Sequence, residues 1–218
     1  MDQKITMPET NPREVILDRI RHANADAAPS EYSVIERTYR QMAGMDRAEI
    51  QKTFSERLHE YDAHMTEATA ETLSAAIAES LRRNNQRSAV VASGFPQQLL
   101  PEGFLWQQES SVTTEQLNTA EGAICACEVA IAHTGTIVIR NARRLTLLPD
   151  RLLCVVHEEQ VVETVPEAFA RLQPFASEPL TFISGPSATA DIEMTRIRGV
   201  HGPRFLDVLL VRNSQQEP

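Results

Sequence analysis

The chain has 218 residues, 42% hydrophobic and 23% charged, ordinary globular usage that supports one domain or one domain with an extension. A formal charge of −9 excludes a general phosphate-backbone binder, which needs a basic face, so no nucleic-acid partner is expected. A local anion site stays open, because backbone amides hold a phosphate without net positive charge.

Three cysteines, Cys125, Cys127 and Cys154, form no C-x-x-C pair, and their number is odd. A reducing compartment is expected rather than a disulfide framework. The chain alone cannot supply the four ligands of a usual iron–sulfur cluster. The Cys125-x-Cys127 pair could join a metal site or act as small hydrophobes in a strand; no metal site is assigned. No apolar run approaches the roughly 20 residues that span a bilayer. The start, Met1-Asp2-Gln3-Lys4, lacks the apolar stretch of a secretion signal. A cytoplasmic protein without a transmembrane segment is the expectation.

In chain order, Asn11 and Pro12 read as cap and first turn of a helix carrying Val15, Ile16 and Ile20. Pro29 ends that segment, and a second helical stretch is expected through Val34, Ile35 and Tyr39. A third helix starts at Asp46, with Glu49 completing a capping box and Ile50, Phe54, Leu58 and Tyr61 on one stripe. Residues 1–65 read as a helical N-terminal arm, packed on the domain or on a partner subunit.

Residues 66–212 read as an α/β domain, and 213–218 as a polar tail. A helix is expected over Thr69–Arg83, with Leu73, Ile77 and Leu81 four apart. Ser88–Ala92 is a short buried strand, and Ser93-Gly94-Phe95-Pro96 a turn. A short helix is expected at Thr114–Leu117, strands at 123–125, 129–131, 136–139, 152–156 and 161–162, and a helix from Pro166 to Leu172. A strand at 181–183, a helix from Thr189 to Arg196 and a last strand at 206–211 complete the pattern. Apolar strand runs alternating with helices predict a partly parallel central sheet covered by helices on both faces.

Three segments could carry chemistry. The run Ser184-Gly185-Pro186-Ser187-Ala188-Thr189-Ala190-Asp191-Ile192-Glu193 follows a strand, where open α/β sheets bind ligands. Gly185 permits a tight path, Ser187 or Thr189 can cap the expected helix, and its free amides favour an anion. The bland alternative is an ordinary junction whose hydroxyls only cap backbone. Asp191 and Glu193, two apart, do not share a helix face.

In Gly199-Val200-His201-Gly202-Pro203-Arg204, His201 can serve as acid or base and Arg204 can fork onto an anion. A simple turn is the equal alternative. In His133-Thr134-Gly135-Thr136, Gly135 allows close backbone approach, and the hydroxyls of Thr134 and Thr136 can donate; a plain turn between strands is the alternative. The chain has no P-loop, dinucleotide-binding glycine turn, nucleophile elbow or H-E-x-x-H.

Together, and in this order, the Thr134-Gly135-Thr136 turn, the Leu145-Thr146-Leu147-Leu148-Pro149 segment, the Ser184–Glu193 run and the Gly199–Pro203 loop resemble LUD-domain proteins of the LutC/YkgG type. The resemblance covers roughly residues 66–212. It implies a NagB/RpiA/CoA-transferase-like fold, and a role as accessory subunit in bacterial oxidation of L-lactate to pyruvate. Iron–sulfur clusters would then sit in partner subunits, with no cofactor bound by this chain.

On this basis the catalytic candidates are Asp191, Glu193 and His201. The anion-binding candidates are Thr134, Gly135, Thr136, Ser184, Gly185, Ser187, Thr189, Gly202 and Arg204. The chain departs from the family pattern at His133, where a glutamate is usual, and at Ala188, where a basic residue is common. Whether this subunit is itself catalytic, and whether it forms a homo-oligomer, is left open. The alternatives are a stand-alone enzyme or sensor for a phosphorylated or CoA-type molecule, and a structural adaptor.

Overall fold

The computed structural model describes residues 11–25, 35–36, 38–190, 196–199 and 201–213. The chain divides into two compact units, residues 1–40 and 41–218.

In the first unit, α1 (Pro12–Ala23) is capped by Asn11, whose side chain accepts from the Arg13 amide, and Pro12 opens the helix. None of its residues is buried. Described residues 35, 36 and 38–40 form no helix, unlike the expectation there.

The second unit begins with α2 (Arg47–Glu60), set by the reciprocal Asp46–Glu49 capping box. Its stripe of Ile50, Phe54 and Leu58 is buried in the core of the α/β unit. The helical segment 47–60 thus belongs to the α/β body rather than to a separate arm.

A strand that the sequence reading did not expect follows, ending at Thr69, where a helix was expected to begin. β1 (His64–Thr69) pairs in parallel with β12 (Phe205–Arg212), and α3 starts only at Leu73 and runs to Arg83. The six-stranded sheet continues through β7 (Arg151–His157), β4 (Ala123–Ala126), β2 (Ser88–Val91) and β3 (Leu105–Gln108), every neighbouring pair parallel. A short α4 (Thr114–Asn118) lies between β3 and β4, with its own Thr113–Gln116 capping box.

Because side chains alternate across a strand, the sheet has two buried faces. Val91, Ile124, Leu153, Val155 and Leu209 pack against Leu73, Ile77 and Leu81 of α3. On the other face, Val90, Cys125, Cys154, Val156, Val208 and Leu210 meet Phe54 and Leu58 of α2.

That second face also receives Ile137 and Ile139 from a smaller sheet, which sequence reading did not foresee as a layer. It comprises β8 (Val161–Val162), β5 (Val129–Ile131), β6 (Thr136–Arg140) and β9 (Leu180–Ile183), in that order. Its outer face is closed by α5 (Val165–Leu172), whose Ala168 and Leu172 cover Val129, Ile131 and Val138. The architecture is α/β, with a parallel sheet flanked by helices.

All three cysteines are free and buried. Cys125 and Cys154 face each other in register on β4 and β7. Burial pushes the Cys127 thiol well up, and hydrogen bonding with Cys125 together with burial does the same for Cys154. They pack as small apolar groups.

Candidate functional site

β6 and β9 run antiparallel with Ile137 opposite Ile183. This register sets Thr136 beside Ser184, just past the end of β9. Their hydroxyls are 2.7 Å apart, and Thr136 is also 2.7 Å from the Thr134 hydroxyl. Three candidates from two distant segments therefore form one hydroxyl chain.

Gly185 turns the backbone with φ +81°; a Cβ there would come within 2.5 Å of Tyr61 Cβ. A Cβ on Gly135 would come within 2.8 Å of Arg57 Cβ. Both glycines are small because α2 and the residue after it pack on them. The expected close approach at Gly135 is to this helix.

Past Pro186, Ser187 ties two loops together. Its amide donates to the Pro203 carbonyl (2.8 Å), and its carbonyl accepts from the Gly199 amide (2.9 Å). Its hydroxyl oxygen accepts from the His201 amide (3.0 Å).

The segment then enters β10 (Ala188–Ala190), which pairs antiparallel with β11 (Arg196–Arg198), Thr189 opposite Ile197. A helix was expected from Thr189 to Arg196; the described residues at its two ends, Ala188–Ala190 and Arg196–Arg198, are paired strands, and residues 191–195 lie outside the described residues. Among the described residues, no helix N-terminus supplies amides to an anion here. Long-range backbone bonds from Ser187 to Gly199 and Pro203 fix the ribbon. Asp191 and Glu193 lie outside the described residues.

Between these loops opens a cleft of about 260 Å³, lined by Ser184, Gly185, Ser187, His201 and Gly202 together with Thr146, Leu147 and Phe182. Among the described residues no carboxylate lines it, and His201 is its one titratable side chain. Ser184 connects this cleft to the Thr134–Thr136 hydroxyls.

Arg204 is directed elsewhere. Its Nε and Nη2 fork onto Asp150, with Nη2 2.6 Å from Oδ2, and this pairing holds its guanidinium pKa above the usual value. A Cβ on Gly199 would meet the Arg204 stem, so that glycine makes room for the arginine.

One pair had no sequence signal. Glu163 is fully buried. Its Oε2 accepts from the amides of Gly44 (2.5 Å) and Met45 (2.8 Å), while Oε1 lies 3.4 Å from His133 Nε2. The His133 amide in turn donates to the Glu163 carbonyl (3.1 Å). A carboxylate orienting a partly exposed imidazole is an arrangement suited to proton transfer. It stands next to Thr134, where the hydroxyl chain begins. Nothing near Glu163 in sequence foretells its partner 30 residues earlier.

The family model of the LUD domain matches residues 9–211. The chain belongs to the LUD-domain family. Lactate utilization protein C of Deinococcus radiodurans is 40% identical over 177 residues, 78% of this LUD chain and 82% of that relative. Lactate utilization protein C of Bacillus subtilis is 30% identical over 120 residues, about half of each chain. A crystal structure of a DUF162 family protein from Deinococcus radiodurans superposes with a TM-score of 0.67 at 34% identity, covering 77% of the LUD chain and 99% of that one. Among the described residues, no helix of the LUD protein is long and apolar enough to cross a membrane.

Proposed function

We propose that this chain serves lactate utilisation in the cytoplasm as an accessory subunit, working beside iron–sulfur subunits that oxidise L-lactate to pyruvate. Relatives named lactate utilization protein C support the role. The lining of the Ser184–His201 cleft carries the reading at the level of the site. Among the described residues it offers hydroxyls, backbone and one imidazole, and no carboxylate.

A small organic acid suits this lining. Ser187 Oγ already accepts from the His201 amide, leaving its hydrogen to donate. When a carboxylate accepts from Ser184, Thr136 can donate to Ser184 and Thr134 to Thr136, so the chain polarises in one direction. A cleft of about 260 Å³ is small beside the ~300–1,000 Å³ common for drug-sized ligands. This size weighs against a CoA-type molecule.

Deletion of the gene is expected to abolish growth on L-lactate, and the tagged protein should co-purify with iron–sulfur subunits. Normal growth of a deletion strain with no second copy would overturn the proposal. Asp191→Asn and His201→Ala should each impair complementation while far-UV dichroism stays unchanged. Unfolding of both variants would return these residues to a structural role.

A further inference from the structure

A second ligand site follows from the topology of the large sheet. Within this sheet the strand that follows β2 is β3, on one side, and the next after β4, reached through β5 and β6 of the smaller sheet, is β7, on the other. Connections that depart in opposite directions open a crevice beyond the carboxyl ends of the two strands, the place where open parallel sheets bind ligands. The protein has a cavity of about 410 Å³ at this point, within the size range of small-molecule sites. Its walls include Ser93 and Gly94 after β2, Cys127 and Glu128 after β4, and Arg140 and Asn141 at the end of β6. Gly94 has φ +83°, and no atom lies within 4 Å of a Cβ built there, so its loop faces open space.

Glu128 and Arg140 are the charged residues of this wall, and Glu178, bound to Arg140 from outside the lining, adds a second carboxylate beside it. Arg140 Nε donates to Glu128 Oε2 (2.8 Å) and Nη1 to Glu178 Oε2 (2.9 Å), while its guanidinium lies 4.2 Å from the centre of the Phe175 ring. One cation thus stands between two carboxylates, leaving one negative charge in excess. The Asn141 side-chain amide also donates to Glu178. Glu128 lines the cavity, and among the described residues its hydrogen bond from Arg140 reaches Oε2, not Oε1. The floor is apolar, built from Ala92, Ile139 and the buried, protonated Cys127.

We infer that the crevice beyond β2 and β4 binds a small organic ligand with a positively charged or N–H-donating head, which Glu128 receives. Its preference is opposite to that of the Ser184–His201 cleft, and it stands independently of the lactate reading. An amidine and a carboxylate of the same shape separate the two charge preferences. Benzamidine and benzoate are titrated at matched ionic strength into the uniformly ¹⁵N-labelled full chain.

Benzamidine should shift the amide signals of Ser93, Gly94, Glu128 and Asn141 saturably, and benzoate should leave them in place. Glu128→Gln should weaken benzamidine binding at least tenfold. Equal or stronger response to benzoate, no response to either compound, or shifts confined to other residues would overturn the inference. So would unchanged benzamidine affinity in a folded Glu128→Gln protein. The pair of compounds decides the matter on the wild-type chain even where that variant does not fold.

Discussion

The two clefts of the α/β unit are built by different means. The crevice beyond β2 and β4 is a by-product of strand order, its walls attached to fully buried strands. The Ser184–His201 cleft is assembled from loops that meet through the backbone and hydroxyl of one residue, Ser187. A site fixed by topology shares the stability of the sheet. A site tied by a few hydrogen bonds can be lost on its own, as local opening of weakly anchored segments allows.

Phe54→Ala tests the common foundation. The side chain is fully buried beneath the same core face as Ala92, Cys125 and Ile139. The variant should lose about 3–5 kcal/mol in urea unfolding, and both clefts should fail together.

Gly185→Ala should split them. The position combines a left-handed backbone with a Cβ contact of 2.5 Å to Tyr61, so a loss on the order of 2 kcal/mol is expected. Its effect should concentrate on hydrogen exchange in the 184–203 loops, leaving 92–95 and 125–128 protected. Uniform loss of protection would contradict separate construction.

The thiols beneath the crevice supply a pH test. Burial raises the Cys127 thiol well above its ordinary range in the folded chain, and hydrogen bonding with Cys125 together with burial does so for Cys154. Unfolded, they release protons earlier, so stability is intact below the unfolded thiol pKa and falls as pH rises beyond it. The decline should reach about 1.4 kcal/mol per pH unit for each thiol, and Cys127→Ala should make it shallower.

Ser187→Ala is expected to be mildest. Loss of the acceptor for the His201 amide should cost about 0.5–1.5 kcal/mol, yet reduce complementation on L-lactate sharply. A stability loss without any growth defect would separate this residue from function.

How much of this was readable in the chain depends on whether the deciding interaction was local. The Asp46–Glu49 capping box and the apolar runs of β2, β4, β7 and β12 are local, and each appears as an element in the structure. β1 is polar and short, and becomes a strand through six parallel partners on β12, more than 130 residues away. The segment after Ser187 contains good helix formers such as Glu193 and Met194. What makes its flanks a ribbon is backbone bonding to Gly199 and Pro203. The hydroxyl trio was nominated residue by residue, but its connectivity comes from the register of β6 on β9. The crevice beyond β2 and β4 exists only in the strand order, which no local pattern encodes.

β6 runs from one cleft to the other. Thr136 at its start holds Ser184, and Ile139 to Asn141 at and just past its end line the crevice. Five extended residues make a stiff ribbon roughly 15 Å long. Were occupancy at one end to change the set of this ribbon, thermodynamic reciprocity would require each occupant to alter the affinity for its counterpart by an identical factor.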